Sequence, residues 1–284
     1  QNIAKMAEHA PADRYGIVLA GHGQGWITRE VLNGDSGISS LSASADLWQP
    51  AIGAEVTRAF GESNVQVNPS ELAEGIEKSN VELDYILFDA CLMGGAEVAY
   101  ELREKCDRLG FSQAEVLAEG LDYTRITPHL LGGSEADLES ICNDYFIHYD
   151  SQRDPFSRSA TISLIDCDKL EPLAQTCREI FSNHREGLSS IIPYKVQRYY
   201  RSGHHWFYDL ESIIVNAGAT GEEMAALYQA LDDCVLYKAH TPEFMCEFEI
   251  KTFSGFSMYL PCYGNAELDK YYKTLDWNHA TGLV

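Results

Sequence analysis

Two kinds of hydrophobic pattern alternate along the chain. Short apolar runs predict buried strands at Tyr15–Ala20, Tyr85–Asp89 and Thr161–Ile165. Apolar residues at helical spacing predict helices at Pro69–Ser79, after Cys91, at Lys169–His184 and at Gly221–Lys238. This alternation is typical of an α/β fold with a mainly parallel central sheet.

The helix predicted after Cys91 places Val98, Leu102 and Cys106 on one stripe. Glu101 and Lys105 form an i,i+4 pair on its other face. We therefore expect this helix to extend as far as Cys106. The Ser- and Gly-rich stretch 33–50 is expected to be an exposed, mobile loop.

The pattern changes beyond about residue 185. Aromatic residues crowd Tyr199–Leu210, and Leu268–Trp277 predicts a closing helix. Phe248–Phe253 and Phe256–Leu260, which Ser254 and Gly255 separate, predict a hairpin or two sheet strands. We accordingly divide the chain into a core, residues 1–184, and a C-terminal extension, residues 185–284, that packs on it.

The composition of the chain disfavours several classes of function. The chain has 284 residues, and its hydrophobic fraction of 45% is enough for a real core. With 21 basic and 43 acidic residues the net charge is −22, which disfavours binding to nucleic acid. No apolar run reaches the 18 residues of a membrane-spanning helix. The eight cysteines include no C-x-x-C pair and no zinc-like spacing with histidine.

Cys91 is the strongest candidate for chemistry. It follows the apolar run that ends at Asp89, and two glycines and a helical pattern come after it. His22 lies between Gly21 and Gly23 at the end of the first predicted strand. Ligand and catalytic groups collect at the carboxyl ends of parallel strands, so His22 and Cys91 are expected to meet. The backbone N–H groups of Gly23 and Cys91 are candidates to hold an oxyanion.

Other thiol chemistries fit these residues less well. A phosphatase loop of the C-x5-R type needs arginine where Glu97 stands. A thioredoxin-type site needs a second cysteine where Gly94 stands. The Gly21–Gly25 run lacks the G-K-[ST] ending of a phosphate-binding loop. A buried structural cysteine remains the alternative interpretation of Cys91.

The two motifs together resemble a known family. The stretches Y-G-I-V-L-A-G-H-G-Q-G-W and Y-I-L-F-D-A-C-L-M-G-G-A-E resemble the clostripain family of cysteine peptidases, within the caspase–gingipain–legumain superfamily. The likeness continues through S-Q-A-E-V-L-A-E-G-L-D-Y-T-R-I-T-P-H-L, S-A-T-I-S-L-I-D and W-F-Y-D-L. The resemblance implies a caspase-like three-layer αβα sandwich. Family members carry strands before the histidine strand, and we expect one or more such N-terminal strands to be absent here.

The resemblance also implies roles for single residues. His22 and Cys91 match the catalytic dyad, and Gly23 matches the oxyanion-hole glycine. Asp89 matches the acid that selects arginine or lysine before the scissile bond, although a structural or helix-capping acid is the alternative. The resemblance places Glu119 and Asp122 on the loop that borders the pocket for the arginine or lysine side chain, and they are weaker candidates for the same role.

Further expectations follow from the resemblance. Family members are often activated by a cut between the two motifs, and Arg29 is the expected processing site because it precedes the Ser- and Gly-rich stretch. No cofactor is expected, and calcium is suggested by the family alone. The expected partners are peptides with Arg or Lys before the cleaved bond, and an N-terminal fragment that completes the sheet. Export from a bacterial cell is implied in the same way.

Two other functional classes remain open at this stage. One is a peptidase fold that has lost its activity and serves as a peptide-binding module. The other is a hydrolase or transferase that uses a different thiol chemistry.

Overall fold

The computed structural model describes residues 2–21, 23, 25–27, 67–200, 206–264 and 266–284. Within these residues a central sheet contains the strands β1 Gly16–Gly21, β2 Leu83–Ala90, β3 Cys106–Phe111, β4 Thr161–Asp166 and β6 Val235–His240. They lie in the order β1-β2-β3-β4-β6. Spatial order in the described sheet therefore follows chain order.

Strand direction is mainly parallel. Strands β1 and β3 are both parallel to β2, whereas β4 is antiparallel to both of its neighbours, β3 and β6. Strand β4 is therefore reversed, and the other four strands of the described sheet point the same way. This arrangement confirms the prediction of an α/β fold with a mainly parallel sheet.

Helices flank this sheet. In the described residues they are α1 Asn2–His9, α2 Pro69–Ser79, α3 Ala96–Leu102, α4 Tyr123–Leu131, α5 Leu138–Asp150, α6 Leu170–Asn183, α7 Arg185–Ser189, α8 Leu210–Asn216, α9 Gly221–Cys234, α10 Ala266–Tyr272 and α11 Asp276–Thr281. Helices α2, α3, α6, α9 and α11 form one contacting group. Helix α5 contacts α4 and the strands β4 and β6.

Helix α2 shows how local sequence sets the element boundaries. The backbone N–H of Asn68 donates to the Glu71 side chain at 2.9 Å, and Pro69 occupies the first turn. The helix ends at Asn80, which adopts the left-handed conformation with φ 54°. The predicted bounds, Pro69–Ser79, are confirmed.

Two predicted helices extend too far. Helix α3 ends at Leu102, and Cys106 begins β3 instead of continuing the stripe. Lys105 consequently pairs with Glu77 at 2.8 Å and not with Glu101. Helix α9 ends at Cys234, and the next residue begins β6. In both places pairing with a neighbouring strand overrides the local helical pattern.

The C-terminal part forms small sheets beside the central one. Strand β5, Tyr208–Asp209, pairs with β9, Ser257–Met258. Strand β7, Glu243–Phe244, pairs with β8, Phe248–Glu249. The two predicted strands therefore join different partners and do not form a hairpin with each other. The single closing helix predicted at Leu268–Trp277 is instead two helices, α10 and α11.

The predicted extension supplies part of the central sheet, because β6 lies beyond residue 185 and pairs with β4. The division at residue 184 itself stays a prediction. The predicted loop 33–50 lies outside the described residues. No helix in the described part of the chain is long and apolar enough to cross a membrane.

Candidate active site

The turn after β2 positions Cys91. Strand β2 ends at Ala90, and helix α3 does not begin until Ala96. Leu92 has φ 60°, a left-handed conformation that is uncommon for a residue other than glycine. Its N–H donates to the Ala114 carbonyl at 2.8 Å, which fixes the turn against the segment that follows β3. Cys91 therefore lies at a constrained strand end, as the sequence predicts.

The end of β1 comes to the same place. Gly21 is opposite Ala90 in the parallel register of β1 and β2. A Cβ atom on Gly23 would lie 1.8 Å from the carbonyl oxygen of Cys91, so the chain there is close enough to Cys91 that only glycine fits. His22 stands between these two glycines in the sequence but lies outside the described residues. The structure therefore brings the predicted oxyanion glycine to Cys91.

The sulfur of Cys91 is buried, with 0% of the residue exposed. Its Sγ accepts a hydrogen bond from the Val116 N–H at 3.2 Å and donates one to the Val116 carbonyl oxygen at 3.7 Å. The backbone of Val116 therefore supplies both a donor and an acceptor to the sulfur.

Asp89 is also buried, with 1% exposed. Its Oδ1 accepts from the Leu121 N–H at 3.1 Å, and its Oδ2 accepts from the Tyr123 hydroxyl at 2.9 Å. Both donors and Val116 belong to one stretch, residues 116–123, which we name segment 116–123. This segment therefore contacts the candidate nucleophile and the candidate specificity acid together.

The other two acidic candidates lie on segment 116–123 but make different contacts. The Glu119 side chain is 70% exposed, and its Oε2 is 3.3 Å from His148 Nε2. Asp122 caps helix α4 and accepts from the Thr124 hydroxyl and from the N–H groups of Thr124 and Arg125. The Thr124 hydroxyl is the main cause of the lowered pKa of Asp122. A specificity role for either acid stays a prediction.

A cluster of aromatic rings lies behind the turn that carries Gly23. Trp26 packs edge-to-face on Tyr259 and Tyr272, with ring centroids 5.2 Å apart in each pair. Tyr271 stacks on Trp26 at 6.1 Å, and its hydroxyl donates to the Trp26 carbonyl at 3.3 Å. We name Trp26, Tyr259, Tyr271 and Tyr272 the aromatic clamp. It ties the turn after β1 to the C-terminal part of the chain.

A buried carboxyl, Glu97, connects this clamp to the helix after Cys91. Its Oε1 accepts from the Tyr259 N–H at 2.9 Å and from the Tyr272 hydroxyl at 2.7 Å. In the described part of the chain, neither Glu97 Oε2 nor Ser257 Oγ has a hydrogen-bond partner. Burial raises the pKa of Glu97 to about 7. The sequence interpretation used Glu97 only to exclude a phosphatase loop and did not identify this role.

Sequence reasoning also missed Val116, Leu121 and Tyr123. Val116 and Leu121 act through backbone N–H groups, which leave no signal in a residue pattern. Arg29, the predicted processing site, lies outside the described residues. Within those residues, no three His, Cys, Asp or Glu side chains gather as metal ligands.

Comparison with known proteins identifies the family to which the chain is similar. The family model Peptidase C11, clostripain family, matches residues 45–282. No curated protein matches the chain. Among solved structures, a secreted C11 cysteine protease from Bacteroides thetaiotaomicron, iotapain, is 27% identical with a TM-score of 0.79, over 99% of this chain and 75% of its own.

Two further solved structures are similar. An inactive zymogen C11 protease from Parabacteroides distasonis is 28% identical with a TM-score of 0.74, over 99% of this chain and 74% of its own. A clostripain from Bacteroides thetaiotaomicron in complex with the peptide inhibitor BTN-VLTK-AOMK is 28% identical with a TM-score of 0.69. That match spans 78% of this chain and 98% of the other.

Proposed function

Because the chain belongs to the clostripain family and is a cysteine peptidase, we propose that it hydrolyses peptide bonds after arginine or lysine with Cys91 and His22 as its catalytic dyad. One observation carries this proposal. The parallel register that ends at Gly21 and Ala90, with Gly23 against the Cys91 carbonyl, brings the chain on both sides of His22 to the nucleophile.

The proposed reaction passes through an acyl-enzyme. The Cys91 thiolate attacks the carbonyl carbon of the scissile bond, and the N–H groups of Gly23 and Cys91 hold the negative oxygen that forms. His22 gives a proton to the departing amine. It then takes a proton from the water that hydrolyses the thioester and frees Cys91.

Specificity is proposed to come from Asp89. A buried carboxylate is costly unless a cation pairs with it, so a basic side chain before the scissile bond is the matching substrate group. Glu119 and Asp122 are proposed to add negative charge at the edge of the same pocket. The neighbour that binds BTN-VLTK-AOMK supports this, because its inhibitor peptide ends in lysine.

One observation favours a second candidate, a closed and inactive form that binds peptides without cleaving them. The Cys91 sulfur is buried against Val116, and one similar structure is an inactive zymogen. Alkylation separates the candidates. A peptidase should be labelled at Cys91 by an arginyl chloromethyl ketone in competition with substrate, whereas the closed form should not be labelled.

Activation and location complete the proposal. We propose self-cleavage after Arg29, export from a bacterial cell, and a further strand from an N-terminal fragment on the outer edge of β1. Two of the similar proteins support these points, since one is secreted and another is a zymogen. Strand β1 has β2 as its one strand partner in the described residues, and an open edge is a site for pairing. No step of the reaction is assigned to calcium.

Site variants test the dyad and the specificity acid. Cys91→Ala should abolish hydrolysis of arginyl and lysyl reporter peptides, and Asp89→Asn should remove the preference for them over neutral peptides. Retained hydrolysis in Cys91→Ala would contradict the nucleophile. Mass spectrometry of the purified active protein should show two fragments produced by cleavage after Arg29. The Cys91→Ala variant should remain one intact chain.

A further inference from the structure

The Asp89 carboxylate is held from two sides. Leu121 donates to one oxygen through its backbone, and Tyr123 donates to the other through its side chain. Hydrogen bonds of this kind stabilise the ionised form of a buried carboxylate and fix its direction. The Tyr123 bond is the one of these two that a side-chain substitution can remove.

Tyr123 also reaches the surface. The residue is 41% exposed, while the acid that its hydroxyl contacts is 1% exposed. The ring therefore spans the distance between solvent and the buried carboxylate. A long basic side chain that approached Asp89 from the side of Tyr123 would pass this ring before its charged end met the carboxylate. An aromatic face packs well against an aliphatic stem and attracts a cation.

We propose that Tyr123 is a further specificity-determining residue, whose ring lines the path to Asp89 and whose hydroxyl orients the carboxylate that receives the basic side chain. This inference rests on the proposed role of Asp89. The sequence analysis named the neighbouring Asp122, whose carboxylate caps helix α4, as a candidate for specificity and did not name Tyr123.

A purely structural role for Tyr123, as the first residue of α4, predicts a different result. Loss of a structural contact lowers the hydrolysis of every substrate by the same factor. Loss of charge recognition lowers the hydrolysis of a basic substrate more than that of a neutral one of the same shape. Citrulline is the neutral isostere of arginine, so paired arginyl and citrullinyl reporters separate the two roles.

The experiment measures kcat/KM for both reporters with the full chain and four variants. In Tyr123→Phe, the arginyl-to-citrullinyl ratio should fall about tenfold, the size of one hydrogen bond to a charged group. In Tyr123→Leu it should fall further because the ring is lost as well. The ratio is measured on one sample, so the fraction of folded protein cancels.

Tyr149→Phe is the matched control. The Tyr149 hydroxyl donates to the Gly120 carbonyl at 2.9 Å, so this bond reaches the same segment and does not involve the Asp89 carboxylate. Its arginyl-to-citrullinyl ratio should equal that of the unmodified chain. Asp89→Asn, the fourth variant, tests the premise and should bring the ratio close to one.

The outcomes are distinguishable. Suppose that Asp89→Asn loses the preference for the arginyl reporter, but that Tyr123→Phe keeps a normal ratio, including the case in which it loses activity equally on both reporters. This result would overturn the role of Tyr123 and leave that of Asp89 standing. A normal ratio in Asp89→Asn would overturn the proposed specificity acid and this inference with it.

Discussion

Substitution of Glu97 by glutamine tests the energetic role of the buried carboxyl. Glutamine keeps an oxygen that can accept from the Tyr259 N–H and the Tyr272 hydroxyl. It also places an NH2 group where Oε2 now lies without a partner among the described residues. A methyl group on Gly95 would lie 2.9 Å from Glu97 Oε2 and 3.6 Å from Ser257 Oγ, so both oxygens border one small space. The new amide is therefore expected to donate to Ser257.

The expected magnitude follows from the pKa of Glu97. Burial raises it from 4.5 to about 7 in the folded chain. Between these values the unfolded chain has released the proton while the folded chain still holds it, so the free energy of unfolding falls as pH rises. At about 1.4 kcal/mol per pKa unit, the total loss is about 3.5 kcal/mol, and it is nearly complete at about pH 8. Glutamine does not titrate and removes this loss.

The assay is urea unfolding at pH 4, 5, 6, 7 and 8, carried out in a Cys91→Ala background to prevent self-digestion. The free energy of unfolding of Glu97→Gln minus that of its parent should rise by about 3 kcal/mol from pH 4 to pH 8. All other titrating groups cancel in this difference. Glu104→Gln, at a side chain that is 73% exposed, is the surface control for the exchange of a carboxylate for an amide. A flat difference for Glu97→Gln would refute the assignment of a buried, high-pKa carboxyl.

Three other predictions concern close contacts and caps. Gly23→Ala should abolish turnover of arginyl reporters, because its Cβ would lie 1.8 Å from the Cys91 carbonyl oxygen, and normal kcat would contradict the close approach. Asp209→Asn should lower the free energy of unfolding by about 3 kcal/mol in urea titrations, because the acid accepts from Ser212, Ser254 and Tyr199 and the amide turns one acceptor into a donor. Asp122→Ala should cost about 1 kcal/mol in the same titrations through the lost cap of α4, and a change below 0.3 kcal/mol would argue against that cap.

Much of the architecture could be predicted from the pattern of the chain. Strands β1, β2 and β4 are apolar runs, and α2 carries its own start and stop signals. Strands β2 and β4 are mostly buried as predicted, whereas every residue of β1 before Gly21 is exposed or half-buried, so the prediction of a buried strand was wrong there. Strands β3 and β6 could not be predicted in this way. Each continues a helical pattern in sequence and becomes a strand because a neighbouring strand pairs with it. Local propensity is too weak to oppose that pairing.

The candidate site also contains residues that the sequence predicts and residues that it does not. Strand-end positions and the glycines beside them identify Cys91 and Gly23, because parallel strands end at one edge of a sheet. The contacts on the Cys91 sulfur and on Asp89 come from Val116, Leu121 and Tyr123. Two of these act through the backbone, and the third is far from Asp89 in sequence, so residue type and spacing give no sign of them.

The aromatic clamp joins residues that are synthesised at very different times. Translation runs from the N-terminus, so Trp26 and Cys91 leave the ribosome well before Tyr259, Tyr271 and Tyr272. A nascent chain thus carries Cys91 before the side chains that pack on the turn after β1 have been made. This turn can therefore reach its final packing only once the C-terminal part of the chain has been synthesised.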